Sequence, residues 1–220
     1  MGQIPLLSSL SADELREISK SIITKEYKKG EAIFKLGDRA NGLYIVCNGK
    51  VKIYKNTLEG KEQIIYILSD GDFIGAFNLL KEDVFDFTAE ALENTTISML
   101  EKVAFDQVIV AKPEITLKVL EKAYERIMKV ESLVERLSTK SLDAKVAALL
   151  LNLIGSFGEE TEEGIVLKLS INREEMGSYT GIARETMTRK LKLFEEMGIL
   201  KLQGAKVIII RDVEKLKAFN

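Results

Sequence analysis

Asn172-Arg173-Glu174-Glu175-Met176-Gly177 opens a stretch that continues through Thr180 into Gly181-Ile182-Ala183-Arg184-Glu185-Thr186-Met187-Thr188-Arg189. The order of residue types predicts two helices around a tight turn. Asn172 is a capping residue for a helix through Tyr179, Thr180-Gly181 turns the chain, and a second helix follows from about Ala183 to Met197. At roughly 100° per residue, Arg184, Glu185, Thr188, Arg189 and Lys192 fall within one arc of about 140°. Met187, Leu191, Phe194 and Met197 lie on the other side. One face of this helix is therefore to be buried and the other presented. Arginine can bond bidentately to guanine O6 and N7, and glutamate can accept from cytosine N4. These arginines lie in the first two turns, where a helix inserted in the major groove meets base edges. The plainer reading of the same residues is a solvated helix whose Arg and Glu side chains pair with each other.

Downstream, Ile199 to Leu202 and Lys206 to Ile210 flank Gly204-Ala205, the pattern of a β-hairpin. Upstream come a short strand from Ile165 to Leu169, an acidic loop from Glu159 to Gly164, and a helix from Ser141 to about Phe157, in which Ala144, Ala147, Ala148 and Leu151 suit close packing. Helix, turn, helix, hairpin is the order of a winged helix-turn-helix, assigned to 138–220. Before it, Leu117, Leu120, Tyr124, Ile127, Val130 or Glu131, Val134 and Leu137 recur at three or four residues, with Lys and Glu between them. A long helix with one narrow apolar stripe suits a homodimer seam over 113–137; the alternative is a stripe packed on the chain's own neighbouring domain. Earlier still, Gly37, Gly49, Gly60 and Gly71 recur at 12, 11 and 11 residues between strand-like stretches such as Lys50-Val51-Lys52-Ile53-Tyr54. Evenly spaced short strands with turn glycines predict an antiparallel sandwich or roll over about 28–100. Ser11 and Glu14, at capping-box spacing, predict a short N-terminal helix from about Ala12 to Thr24. The expected architecture is α+β: a β-roll sensor domain over 1–112, the dimerisation helix, and the winged domain.

Composition narrows the function. The 220 residues are 46% apolar and 30% charged, a soluble globular profile with no membrane span or signal peptide in view, and so an expected cytoplasmic location. There is no histidine, which removes the commonest general base and metal ligand, so catalysis is not expected. A metal-dependent oxygenase on a β-roll would need those ligands. The net charge of −2 hides an uneven distribution: residues 1–137 carry 19 basic against 22 acidic side chains, whereas 182–206 carry 6 against 3. Local positive charge is what contact with phosphates requires.

The two helical stretches quoted first closely resemble the helix-turn-helix of the Crp/Fnr superfamily of bacterial transcription regulators. Gly37-Asp38, Tyr44-Ile45-Val46, Gly49-Lys50-Val51-Lys52-Ile53-Tyr54 and Gly71-Asp72-Phe73-Ile74-Gly75 resemble that family's β-roll, whose jelly roll is of the cyclic-nucleotide-binding type. The likeness runs through nearly the whole chain in the right order. It implies a dimeric regulator of promoter DNA in which Arg184, Glu185, Thr188 and Arg189 read bases. Arg173, Ala183, Lys192 and Lys206 are the candidates for backbone contact, and RNA polymerase is a further expected partner. One branch of the family uses the first arginine, another a hydroxyl one residue before the last; Arg184 and Thr188 place this sequence between them. Ala183 stands where many relatives carry serine. A module whose helix-turn-helix binds protein in place of DNA is the alternative, against which Arg184 and Arg189 argue.

The resemblance also locates the effector. Many relatives hold a cyclic nucleotide with a Glu just after the glycine of Gly-Asp-Phe-Ile-Gly and with an Arg-Ser/Thr pair. Here Ala76 follows Gly75, Asp86 or Phe87 stands where the arginine belongs, and no arginine occurs between Arg39 and Arg126. A carboxylate repels phosphate, so cyclic AMP is not the expected signal. Cys47 is the only cysteine and cannot hold an iron–sulfur cluster. No cofactor is expected. What remains is an unidentified small-molecule or redox-type signal, with Gly75, Ala76, Phe77, Phe85, Asp86, Phe87, Thr88, Val130 and Glu131 as the effector-pocket candidates. Their aromatic members are of a kind that more often forms β-roll core than pocket wall.

Overall fold

The structure, a computed structural model, describes residues 11–81, 83–138 and 141–219, without the side chains at 17, 80, 132 and 135–138. The element order is α1 (Ala12–Ser19), β1 (Ile22–Tyr27), β2 (Ala32–Phe34), β3 (Gly42–Asn48), β4 (Val51–Asn56), β5 (Glu62–Leu68), β6 (Phe73–Ile74), α2 (Ala76–Lys81), β7 (Thr88–Ala91), β8 (Thr95–Glu101), α3 (Lys102–Ala111), α4 (Pro113–Ser138), α5 (Leu142–Phe157), β9 (Gly158–Thr161), β10 (Gly164–Lys168), α6 (Arg173–Thr180), α7 (Arg184–Glu196), β11 (Leu200–Gln203), β12 (Val207–Ile210) and α8 (Val213–Lys217). The chain divides into two compact units: Met1–Lys55 with Ile67–Lys129, and Asn56–Tyr66 with Val130–Asn220. None of the described helices is long and apolar enough to cross a membrane.

The N-terminal part builds two antiparallel four-stranded sheets, in the orders β1-β8-β3-β6 and β2-β7-β4-β5. The recurrent glycines 37, 49, 60 and 71 all have positive φ. On β4, Val51 and Ile53 are fully buried, as their alternation predicts, but Lys52 is buried too, 3.1 Å from Glu90 on β7. The core joins Leu43, Ile45, Phe73 and Leu100 of the strands to Phe105 and Val108 of α3 and to Ile115 and Val119 of α4. Cys47, near the end of β3, is exposed, its thiol 3.1 Å from Ser98 Oγ.

Three local readings are corrected. The N-terminal helix ends at Ser19, short of Thr24, because the β-branched run Ile22-Ile23-Thr24 pairs with β8, Ile22 opposite Leu100. Its start has the expected reciprocal cap, Ser11 N donating to Glu14 Oε2 at 2.8 Å and Glu14 N to Ser11 Oγ at 3.3 Å. That backbone bond, with Lys112 at 2.9 Å, lowers the Glu14 pKa to about 2. The acidic stretch is a turn only at Glu162-Glu163: Glu159 and Glu160 lie on β9, paired with β10. Met197, assigned to the buried face of its helix, is the exposed residue that caps it.

The stripe on α4 stays uncovered. Ile115 and Val119 pack into the β-roll core, whereas Leu117, Leu120, Tyr124, Ile127, Val130 and Val134 are exposed, Tyr124 by 64% and Val134 by 59%. The alternative in which the stripe covers the chain's own roll thus falls to a different face of the same helix. The Leu137 side chain lies outside the described residues.

Candidate nucleic-acid interface

The helix-turn-helix is locked by local bonds that its sequence encodes. Asn172 Oδ1 accepts from Glu174 N at 2.9 Å and Glu175 N at 3.0 Å, and Glu175 Oε2 accepts from Asn172 N at 2.8 Å, a complete capping box. Gly181 ends α6 at φ 69°, the left-handed conformation glycine adopts most readily. At Gly177 any Cβ would collide with the Ile182 carbonyl, which lets α7 start close against α6. The buried Thr180 hydroxyl closes the turn, 3.0 Å from the Met176 carbonyl and 3.2 Å from that of Gly177.

On α7, Met187, Leu191 and Phe194 are completely buried. Arg184, Glu185, Thr188, Arg189 and Lys192 are all exposed, so the structure gathers the predicted readers on one face. Among the described residues none of the four charged members of that arc forms an ion pair. Thr188 spends its hydroxyl proton on the Arg184 carbonyl at 3.0 Å and keeps acceptor capacity outward. Ala183 is the N-cap of α7 and offers no side-chain bond, leaving the first-turn N–H groups without a side-chain cap. Arg173 is half-buried at the start of α6, with Nη1 3.1 Å from Met176 Sδ; burial pulls its pKa below the ordinary arginine value. Lys206 is exposed at the turn of the β11–β12 hairpin.

Sequence reasoning missed several groups around this face. Glu195 Oε1 accepts from Leu202 N at 2.7 Å and ties α7 to the hairpin. Within the second unit, Gln63 Nε2 donates to the Ser178 carbonyl at 2.6 Å, near the end of α6 where carbonyls lack helical donors. A groove of about 900 Å³ at the first turn of α7 is lined by Arg184 and Glu185 together with Glu59, Lys61 and Glu62.

In the first unit, the effector candidates divide. Phe85 is completely buried and stacks on Phe34 with centroids 3.7 Å apart; Phe87 leans on both rings at 5.8 Å, and Tyr44 lies 6.0 Å from Phe85. Thr88 Oγ1 accepts from Leu36 N at 3.2 Å, and Asp86 pairs with Lys55 at 2.7 Å. Gly75 and Ala76 are buried, and Phe77 lies under the Arg126 guanidinium at 5.8 Å. Val130 and Glu131 are exposed and belong to the other unit.

Residues 24–112 match the family model of the cyclic nucleotide-binding domain, and residues 144–219 match that of the Crp-like helix-turn-helix domain. The chain belongs to the Crp/Fnr family. It is 29% identical over 211 residues to electron transport regulator A of Shewanella oneidensis, covering 96% of this chain and 84% of that one. A Crp/Fnr-family regulator from Eubacterium rectale superposes at 29% identity with a TM-score of 0.71, over 98% of this chain and 97% of that one. FixK2 from Bradyrhizobium japonicum shares the fold, with a TM-score of 0.80 at 24% identity over 90% and 97% of the two chains. As a Crp/Fnr transcription regulator, the protein presents on α7 the residue types that bind DNA: cations for phosphates and Arg, Glu and a hydroxyl for base edges.

Proposed function

We propose that this Crp/Fnr regulator binds an inverted-repeat promoter site as a homodimer. Arg184, Glu185, Thr188 and Arg189 read bases, while Arg173, Lys192, Lys206 and the backbone at Ala183 hold phosphates. RNA polymerase is its further partner on the promoter. The observation that carries this reading is the exposed arc of α7, whose charged members are free of ion pairs among the described residues. DNA titrations against salt test it: affinity falls steeply as salt rises if cations displace counterions from phosphates. Replacing Lys206 with Ala weakens all sequences alike and reduces the steepness of log K against log[salt] by about 1. A salt slope that Lys206→Ala leaves unchanged would take the hairpin off the DNA.

The proposed signal is not cyclic AMP. A cyclic nucleotide's phosphate needs a fixed cation, preferably a bidentate arginine. Here Ala76 follows Gly75, and the carboxylate of Asp86, already paired with Lys55, stands near the arginine's place. Phe85, next to Asp86 in sequence, is completely buried and stacked on Phe34. These residues do not fit the nucleotide. Calorimetry with cyclic AMP is expected to give no binding tighter than about millimolar, equivalent to roughly −4 kcal/mol; micromolar binding would overturn the assignment. With Cys47 as the sole cysteine, the signal is also assigned to something other than an iron–sulfur cluster.

A further inference from the structure

The one buried side-chain oxygen without a hydrogen-bond donor aligned on it, among the described residues, is Asp143 Oδ1 in the first turn of α5. The Lys190 ammonium of α7 nevertheless lies 2.7 Å from it, with the two side chains 18% and 32% exposed for Lys190 and Asp143 respectively. The contact is thus an attraction between charges without a well-directed hydrogen bond. Such a pair is a poor source of stability, because removing two ions from water is costly and imperfect bonding leaves that cost partly unmet. A buried polar atom in this position calls for another explanation.

Its place on α7 supplies one. The helix is seated by Met187, Leu191 and Phe194, all completely buried. That packing and the Glu195–Leu202 bond hold the helix on the side of the core and the hairpin; the Lys190–Asp143 contact adds a charged hold on a further flank. Lys190 projects roughly 65° to one side of that apolar seam at 100° per residue, away from the exposed arc. A rotation of 20° would carry a side chain near the rim of a helix 10–12 Å across through about 2 Å. That shift breaks a bidentate contact between arginine and guanine, whose hydrogen bonds span only about 2.7–3.2 Å.

We propose that Lys190 and Asp143 form a positioning pair that fixes the rotation of α7 and thereby its base selectivity. The inference rests on the base-reading role proposed for α7. The pair itself touches no base; it aims the residues that do.

The test uses the full chain and compares affinity for a selected duplex with affinity for a scrambled one at fixed salt, alongside thermal melting. Replacing the pair by apolar side chains, Asp143→Leu with Lys190→Met, is expected to preserve or raise the melting temperature. The same variant is expected to lower the ratio of specific to non-specific affinity by about tenfold, comparable to losing one base contact. The reversed pair, Asp143→Lys with Lys190→Asp, is expected to recover most of that ratio. Should the apolar variant fail to fold, Asp143→Asn, which keeps the shape and removes the charge, is judged by the same ratio. Parental selectivity in the apolar variant, or in Asp143→Asn, would overturn the positioning role and leave the base-reading role standing. A lost ratio accompanied by a shallower salt slope would also overturn it, by making Lys190 a phosphate contact. A parent chain with no selectivity would remove the base-reading role and this inference with it.

Discussion

Selection from a random duplex library is expected to return an inverted repeat with half-sites about 10–11 base pairs apart, one helical turn, because a two-fold dimer presents two recognition helices on one side of the DNA. Within each half-site Arg189 is expected to read a guanine and Glu185 the cytosine of a G·C pair, with Arg184 adding a second guanine. The favoured half-site then resembles TGTGA more than TTGAT. The three side chains are exposed on one face of α7 and free of ion pairs among the described residues, so no internal bond must break before they engage. Arg189→Ala removes one bidentate contact per protomer, at about 1–3 kcal/mol each. With two independent half-sites the loss doubles to roughly 2–6 kcal/mol, and selectivity relaxes at the guanine that Arg189 reads. Arg184→Ala acts at a different position of the motif. A library that yields no palindrome, or alanine variants that select the parental motif unchanged, would take the base-reading role away from this helix.

The other large effect concerns assembly. Ile127 and Val134 lie on the uncovered stripe of α4, 56% and 59% exposed in the single chain, while Ile115 and Val119 serve the β-roll core. Replacing both stripe residues with Asp would put four carboxylates, two from each protomer, into an apolar seam. Each carries several kcal/mol of desolvation cost with no partner to offset it. Sedimentation is expected to show monomers. Affinity for the full palindrome should fall toward that of a single half-site, since the second helix is no longer tethered to the first. The β-roll should melt as in the parent, because neither altered residue belongs to its core. A dimer that persists with both substitutions would place the interface on another surface.

The winged domain was legible because its determinants are local. A capping residue, a turn glycine and helical periodicity all act within a few residues, and the bonds made by Asn172 and Gly181 follow from them. What was not legible depends on distant partners. The stack of Phe34 on Phe85 joins residues 51 apart in sequence, and no pattern around either phenylalanine announces the other. The segment Lys102–Ala111, rich in Val and Ile, has the composition of a strand. It is the helix α3 because Ala104, Phe105 and Val108 share a buried face. In β9 the consecutive glutamates give no alternation of polarity, since both sides of this edge strand face water. Lys190 reads as one more surface lysine until Asp143, 47 residues earlier, is brought beside it.

Cys47 turns its exposure to practical use. With one thiol in the chain, at the accessible end of β3 and remote in sequence from the residues assigned to DNA, a maleimide spin label or fluorophore attaches at a single chemically defined point without prior mutagenesis. A symmetric dimer labelled in this way carries two identical probes, so pulsed electron resonance returns one interprobe distance distribution instead of a superposition. Recorded on the free protein and on the DNA complex, that distribution would reveal whether the two β-rolls change their separation when the recognition helices engage.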